Sequence, residues 1–108
     1  MVNIILVVGA TGDLGGRIVI ALLKREAEVR AIVRSSTNNE KVIHLEALGV
    51  KVYKVSNWTV KELTIACSGA SCVVSVMAGL REVIIDAQKI LLDATIAAGV
   101  PRFIPSDY

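Results

Sequence analysis

The chain has 108 residues, 54% of them hydrophobic and 20% charged, which makes it one domain of ordinary size, too short for a complete two-domain enzyme and too apolar to remain disordered. Twelve Lys and Arg against ten Asp and Glu leave a formal charge of +2, and the signs are interspersed, so nucleic acid is not an expected partner. No apolar run approaches the roughly 18 to 20 residues that cross a bilayer, and the N-terminus lacks the basic segment of a secretory signal; a cytoplasmic protein without a membrane partner is expected.

Ile4 to Val8 is an unbroken apolar run ended by Gly9, the pattern of a strand covered on both faces in a parallel sheet. A helix over Leu14 to Leu23 follows, with apolar side chains at Leu14, Ile18, Ala21 and Leu22 and the cations Lys24 and Arg25 at its negative end. Val29 to Val33 form a second strand ending at Arg34. The polar stretch Ser35 to Asn39 leads into a helix that starts near Asn39, aligns Val42, Leu45 and Leu48, and stops at Gly49. Val50 to Val55 is the third strand, and the capping-box spacing of Thr59 and Glu62 predicts a short helix to about Ser68 and Gly69. Cys72 to Val76 is the fourth strand; Cys67 and Cys72 fit neither zinc-knuckle nor redox spacing and are expected as reduced, buried thiols. Ile84, Ala87, Leu91, Ala94 and Ala98 mark one face of a helix from Arg81 to Ala98, stopped by Gly99 and Pro101, and Arg102 to Pro105 is the fifth strand. Strands alternating with helices in this way predict an α/β fold, a doubly wound parallel Rossmann sheet in the order 3-2-1-4-5.

Between the first strand and the first helix stands Gly9-Ala10-Thr11-Gly12-Asp13-Leu14-Gly15, with a glycine at every third position. A dinucleotide diphosphate needs a tight turn that aims backbone N–H groups at it from the positive end of a helix. In that reading Gly9 permits the turn, Gly12 admits the phosphates, and Gly15 lets the helix lie close to the strands, with Gly16 adding slack. Asp13 puts a negative charge in the first turn, so it points to solvent or acts as a local cap. Thr11 is either a hydroxyl donor to phosphate or a plain turn residue. At the end of the second strand no carboxylate awaits a ribose 2′-hydroxyl; Arg34, Ser35 and Ser36 offer a guanidinium and hydroxyls to a 2′-phosphate instead, which favours NADP over NAD, NADPH over NADH.

Together with Val29-Arg30-Ala31-Ile32-Val33-Arg34 and the closing Ala98-Gly99-Val100-Pro101-Arg102-Phe103-Ile104-Pro105-Ser106-Asp107-Tyr108, the glycine loop resembles the NmrA-like and isoflavone-reductase-like branch of the atypical short-chain dehydrogenases. The resemblance spans the whole chain. It implies an NADP-binding Rossmann domain with cofactor contacts at Gly9, Thr11, Gly12, Leu14, Gly15 and Arg34. Where the family usually shows Gly-Asp after the third strand, this chain has Ser56-Asn57-Trp58; Asn57 offers an amide to an adenine edge, and Trp58 equally suits packing against the sheet. Met77 and Ala78, leaving the fourth strand, are placed beside the cofactor's ribose and nicotinamide. The candidate cofactor-binding set is therefore Gly9, Thr11, Gly12, Asp13, Leu14, Gly15, Arg34, Ser35, Asn57, Met77 and Ala78. Relatives continue past the fifth strand into a further strand and a substrate-binding region, so residues 1–108 are expected to be an incomplete domain of this type, truncated before the sixth strand.

Catalytic residues stay unassigned. Short-chain dehydrogenases pair a Tyr with a Lys four residues later, whereas Tyr53 is followed at that offset by Asn57 and Tyr108 is the last residue. Ser106 is a turn or cap residue or a substrate-facing hydroxyl, and His44 beside Glu40 lacks a second ligand at metal spacing, so no metal site is predicted. Two functions remain open: the cofactor-binding part of an oxidoreductase moving hydride between nicotinamide and a small carbonyl or enone, or a redox sensor that binds NADP and a protein partner without turnover. The open edge of the fifth strand predicts self-association.

Overall fold

The structure, a computed structural model, describes residues 3–77 and 81–105. Strands and helices alternate as β1 (Ile4–Val8), α1 (Asp13–Lys24), β2 (Glu28–Arg34), α2 (Asn39–Ala47), β3 (Lys51–Val55), α3 (Val60–Cys67), β4 (Cys72–Ser75), α4 (Arg81–Ala97) and β5 (Arg102–Ile104). The strands form one sheet in the order β3-β2-β1-β4-β5, and every neighbouring pair is parallel. This is the doubly wound arrangement that the apolar runs predict. No helix among the described residues is long and apolar enough to cross a membrane.

β1 lies at the centre, with Val7 opposite Ala31 of β2 and Val74 of β4. Because side chains alternate along a strand, β1 feeds two cores. Leu6 and Val8 join Ile32, Val73, Leu63 and Leu91 under α3 and α4. Val7 joins Val29, Ala31, Val33, Val19 and Leu45 under α1 and α2. β5 is an edge strand of three residues, bracketed by Pro101 and Pro105, neither of which can donate a backbone N–H to a further strand.

Two helical faces differ from expectation. In α1 the buried or half-buried positions are Gly15, Gly16, Ile18, Val19, Leu22 and Leu23, while Leu14 and Ala21 are exposed. The stripe is rotated because Gly15 is pressed against the loop before it, which decides the face that α1 turns inward. In α2, Val42 and Leu45 are buried, but Leu48 follows the last helical residue as its C-cap and is exposed.

α3 has no cation in its last turn, and β2 supplies one from outside. The Arg30 guanidinium donates through Nη1 to the carbonyls of Ala66 at 3.2 Å and Ser68 at 2.6 Å. These are terminal carbonyls that a helix leaves without intrahelical partners. The same guanidinium lies 5.7 Å from the centroid of the Tyr53 ring, while its Nε–H has no acceptor among the described residues. Cys67 and Cys72 are free and buried. Burial pushes the Cys67 thiol up to about 11, against the lowering influence of the Arg30 charge.

Candidate functional site

The loop after β1 is shaped by its own backbone. Gly9 has φ +95°, and a Cβ there would fall on the Val76 carbonyl, 2.7 Å from its carbon. A side chain is excluded twice, by conformation and by the close approach of the chain leaving β4. At Gly15 a Cβ would fall on the Gly9 carbonyl, again 2.7 Å from the carbon, so α1 packs on the loop itself and not merely on the strands. The Gly12 N–H donates to the Gly9 carbonyl at 3.1 Å and the Gly16 N–H to the Gly12 carbonyl at 2.9 Å, which starts the helix with Gly12 as N-cap. Helix geometry leaves the N–H groups of Asp13, Leu14 and Gly15 without intrahelical acceptors at the positive end of the α1 dipole.

Gly12 behaves differently from its neighbours. Its φ is −80°, and a Cβ there would meet only the Gly9 oxygen at 3.4 Å, an ordinary contact. Among the described residues, nothing in the packing requires glycine at this position. It is exposed and lines a cleft of about 330 Å³ along the C-terminal ends of the strands.

The far wall of that cleft comes from β2, the segment after β3 and α4. Arg34 ends β2 opposite Val55 of β3, and the Ser35 N–H donates to the Val55 carbonyl at 3.0 Å, which ties the two strand ends together. Three residues on, Trp58 lies under Arg34, whose Cζ is 5.8 Å from the ring centroid. The indole Nε1–H donates to the Ala87 carbonyl of α4 at 2.8 Å. Thr37, half-buried, and Met77 complete the polar and soft parts of the lining, with Val83 and Ile84 as its apolar side. Among the lining residues Arg34 is the one with a charged side chain.

Comparison with family profiles places residues 1–108 within the NmrA-like family. The chain belongs to the NmrA-like family. Among solved structures, this NmrA-like chain is similar to AtPrR2 with NADP+ and (+)pinoresinol, at 34% identity and a TM-score of 0.86, over 100% of this chain and 37% of that one. It is similar to an isoflavone reductase at 28% identity and a TM-score of 0.84, again over 100% and 37%. The binary complex of leucoanthocyanidin reductase and NADPH from Vitis vinifera shares the fold at 24% identity and a TM-score of 0.83, over 98% and 36%. The NmrA-like chain thus spans a little over a third of the length of these structures. No curated protein sequence matches it.

Of the candidate residues, the NmrA-like fold brings Gly9, Thr11, Gly12, Arg34 and Met77 to one cleft. Leu14 and Gly15 stand in the first turn of α1 behind it, one exposed and one buried, and Asp13 is described through its backbone alone. Ser35 is exposed at the β2 end and is not part of the lining. Asn57 is likewise outside the lining, its backbone N–H donating to Glu62 Oε2 at 2.7 Å. Ala78, Ser106 and Tyr108 lie outside the described residues. Thr37 and the apolar positions of α4 lack any signal in the sequence, since nothing local marks a threonine or a helical valine as facing a strand end. A second concavity, of about 420 Å³, flanks the other side of Thr11 and Gly12 between α1 and α2 and includes Ile20, Lys41, His44 and Leu48.

Proposed function

We propose that this chain is the NADP-binding part of an NmrA-like oxidoreductase, in which the whole protein moves hydride between the nicotinamide and a small carbonyl or enone. The observation that carries the reading is Gly12: a glycine that packing among the described residues does not demand, on the wall of a cleft at the positive end of α1. The free N–H groups of the first helical turn suit the diphosphate, Thr11 adds a hydroxyl, and Arg34 with Ser35 at the β2 end suits a 2′-phosphate. When bound, the nicotinamide supplies or accepts the hydride. The described lining holds no Asp, Glu, His, Lys, Cys or Tyr, so these residues bind and orient, and proton transfer falls to other parts of the protein. The same observation favours one further reading, an NADP-responsive module that meets a protein partner without turnover.

Calorimetric titration with NADPH and NADH tests the binding. Arg34→Asp is expected to weaken NADPH about tenfold while leaving NADH nearly unchanged, the low end for a charged hydrogen bond because Arg34 is exposed. Gly12→Ala is expected to weaken both dinucleotides while lowering the melting temperature only slightly, since Ala caps a helix less well than Gly by no more than about 1 kcal/mol. Equal affinities throughout overturn the NADP preference, and absence of binding overturns the cofactor reading. The 108-residue chain is expected to bind NADPH without oxidising it in the presence of carbonyl compounds; measurable consumption overturns that.

A further inference from the structure

We propose that Trp58 is the positioning residue that holds Arg34 over the cleft and so sets discrimination between the phosphorylated and unphosphorylated dinucleotide, an inference that rests on the NADP reading above. An exposed arginine has many rotamers, and a guanidinium left free to sample them is seldom aimed at one phosphate. Among the described residues, the Arg34 side chain has Trp58 as its partner, with Cζ at 5.8 Å from the ring centroid, and no carboxylate competes for it. Both residues line the same cleft.

Trp58 is itself fixed from three sides. Its indole Nε1–H is bound to the Ala87 carbonyl at 2.8 Å, and its ring packs on the core cluster that contains Leu63. It precedes Thr59, the N-cap of α3, whose hydroxyl accepts from the Glu62 N–H at 3.3 Å. Trp58 and Leu63 therefore occupy the two positions of a hydrophobic staple. The reciprocal arm of the cap is shifted: the Glu62 carboxylate takes the Asn57 N–H at 2.7 Å, because the Thr59 N–H is engaged by the Asn57 carbonyl at 3.0 Å. The shift clamps residues on both sides of Trp58. A flat face locked to α3 and α4 is thereby set beside the end of β2, where Arg34 emerges.

The test compares NADPH and NADH affinities in the wild type, Trp58→Phe and Trp58→Leu. Trp58→Leu removes the ring and is expected to weaken NADPH about two- to fivefold, the range for an exposed cation–π contact, with NADH unchanged. Trp58→Phe keeps a ring face and is expected to retain most of the preference, although both variants lose the bond to Ala87 and melt at lower temperature. In the Arg34→Ala background, Trp58→Leu is expected to cost no further discrimination. A merely structural Trp58 would weaken both dinucleotides by the same factor, and that result overturns the proposal while leaving the cofactor reading intact. A wild type without preference for NADPH overturns the NADP preference instead. In that case the ring-current shift of the Arg34 side-chain protons, measured by NMR without ligand and lost in Trp58→Leu, still reports the pairing; unshifted protons in the wild type overturn it.

Discussion

The two faces of the sheet are built differently. On one, α3 and α4 pack against each other, and Leu63 and Leu91 between them are fully buried. On the other, α1 and α2 flank a groove of about 420 Å³ with Ile20 and Leu48 on its walls, 44% and 38% exposed. The cleft at the strand ends draws one wall from each side: Trp58 and α4 from the close-packed face, the glycine loop from the open one. A wall of fixed side chains facing one of exposed backbone amides is a division suited to an elongated ligand, because only one end of it need be read by side chains. Backbone amides at a helix terminus grip any diphosphate, whereas telling one dinucleotide from another requires a side chain held still.

Truncating one leucine on each face is the sharpest way to break the comparison. Leu91→Ala is expected to cost about 2–5 kcal/mol, because a cavity opens where α4 and the sheet cannot collapse. Leu48→Ala is expected to cost less than about 1 kcal/mol, since the side chain is exposed and loses little burial. Urea denaturation monitored by circular dichroism measures both. Equal losses would show that the open groove is as tightly packed in solution as the opposite face.

Much of this architecture is legible in the residues, and the reason is physical. Strands covered on both faces read as continuous apolar runs, so Ile4–Val8 and Ala31–Val33 stand out, and their alternation with helices leaves few topologies. The inward face of α1 is harder to read because Leu14 and Ala21 satisfy the period as well as Val19 does. What decides is the contact of Gly15 with the Gly9 backbone, a tertiary fact. Arg30 shows the same limit: an arginine in the middle of a strand looks out of place until the carbonyls ending α3 are seen beside it. At the cleft, the glycines and Arg34 are visible in one dimension. The partnership of Arg34 with Trp58 is not, since it depends on Arg34 and Val55 being register partners.

Alkaline pH separates the faces by a smaller effect. The Cys67 thiol belongs to the core under α3 and α4, where burial raises it from 9.0 to about 11. The unfolded chain therefore loses this proton near pH 9, while the folded chain keeps it until about pH 11. Within that window the unfolded state binds fewer protons, so stability is fully present below pH 9 and falls as pH rises toward 11. Cys67→Ala is expected to flatten this fall, with a residual slope from Cys72, which burial also raises. Chemical denaturation at pH 8, 9 and 10 checks it, and an unchanged slope in the variant assigns the loss elsewhere.

The smallest effect lies on the open face, at the end of α1. The Glu26 N–H donates to the Leu23 carbonyl at 3.0 Å and the Ala27 N–H to the Leu22 carbonyl at 3.2 Å, a helix end that needs a left-handed residue. Glu26 provides it at φ 63°, whereas the corresponding turn after α2 uses Gly49 at φ 98°. An L side chain in that region costs roughly 1–2 kcal/mol, and glycine gives back part of the gain through its freer unfolded chain. Glu26→Gly is thus expected to stabilise the protein by about 0.5–1 kcal/mol, and Gly49→Ala to destabilise it by about 1 kcal/mol. Thermal melts of the two variants should move in opposite directions by a few degrees. A fall in melting temperature for Glu26→Gly would mean that the side chain of Glu26 contributes more to holding α1 against the sheet than its backbone strain takes away.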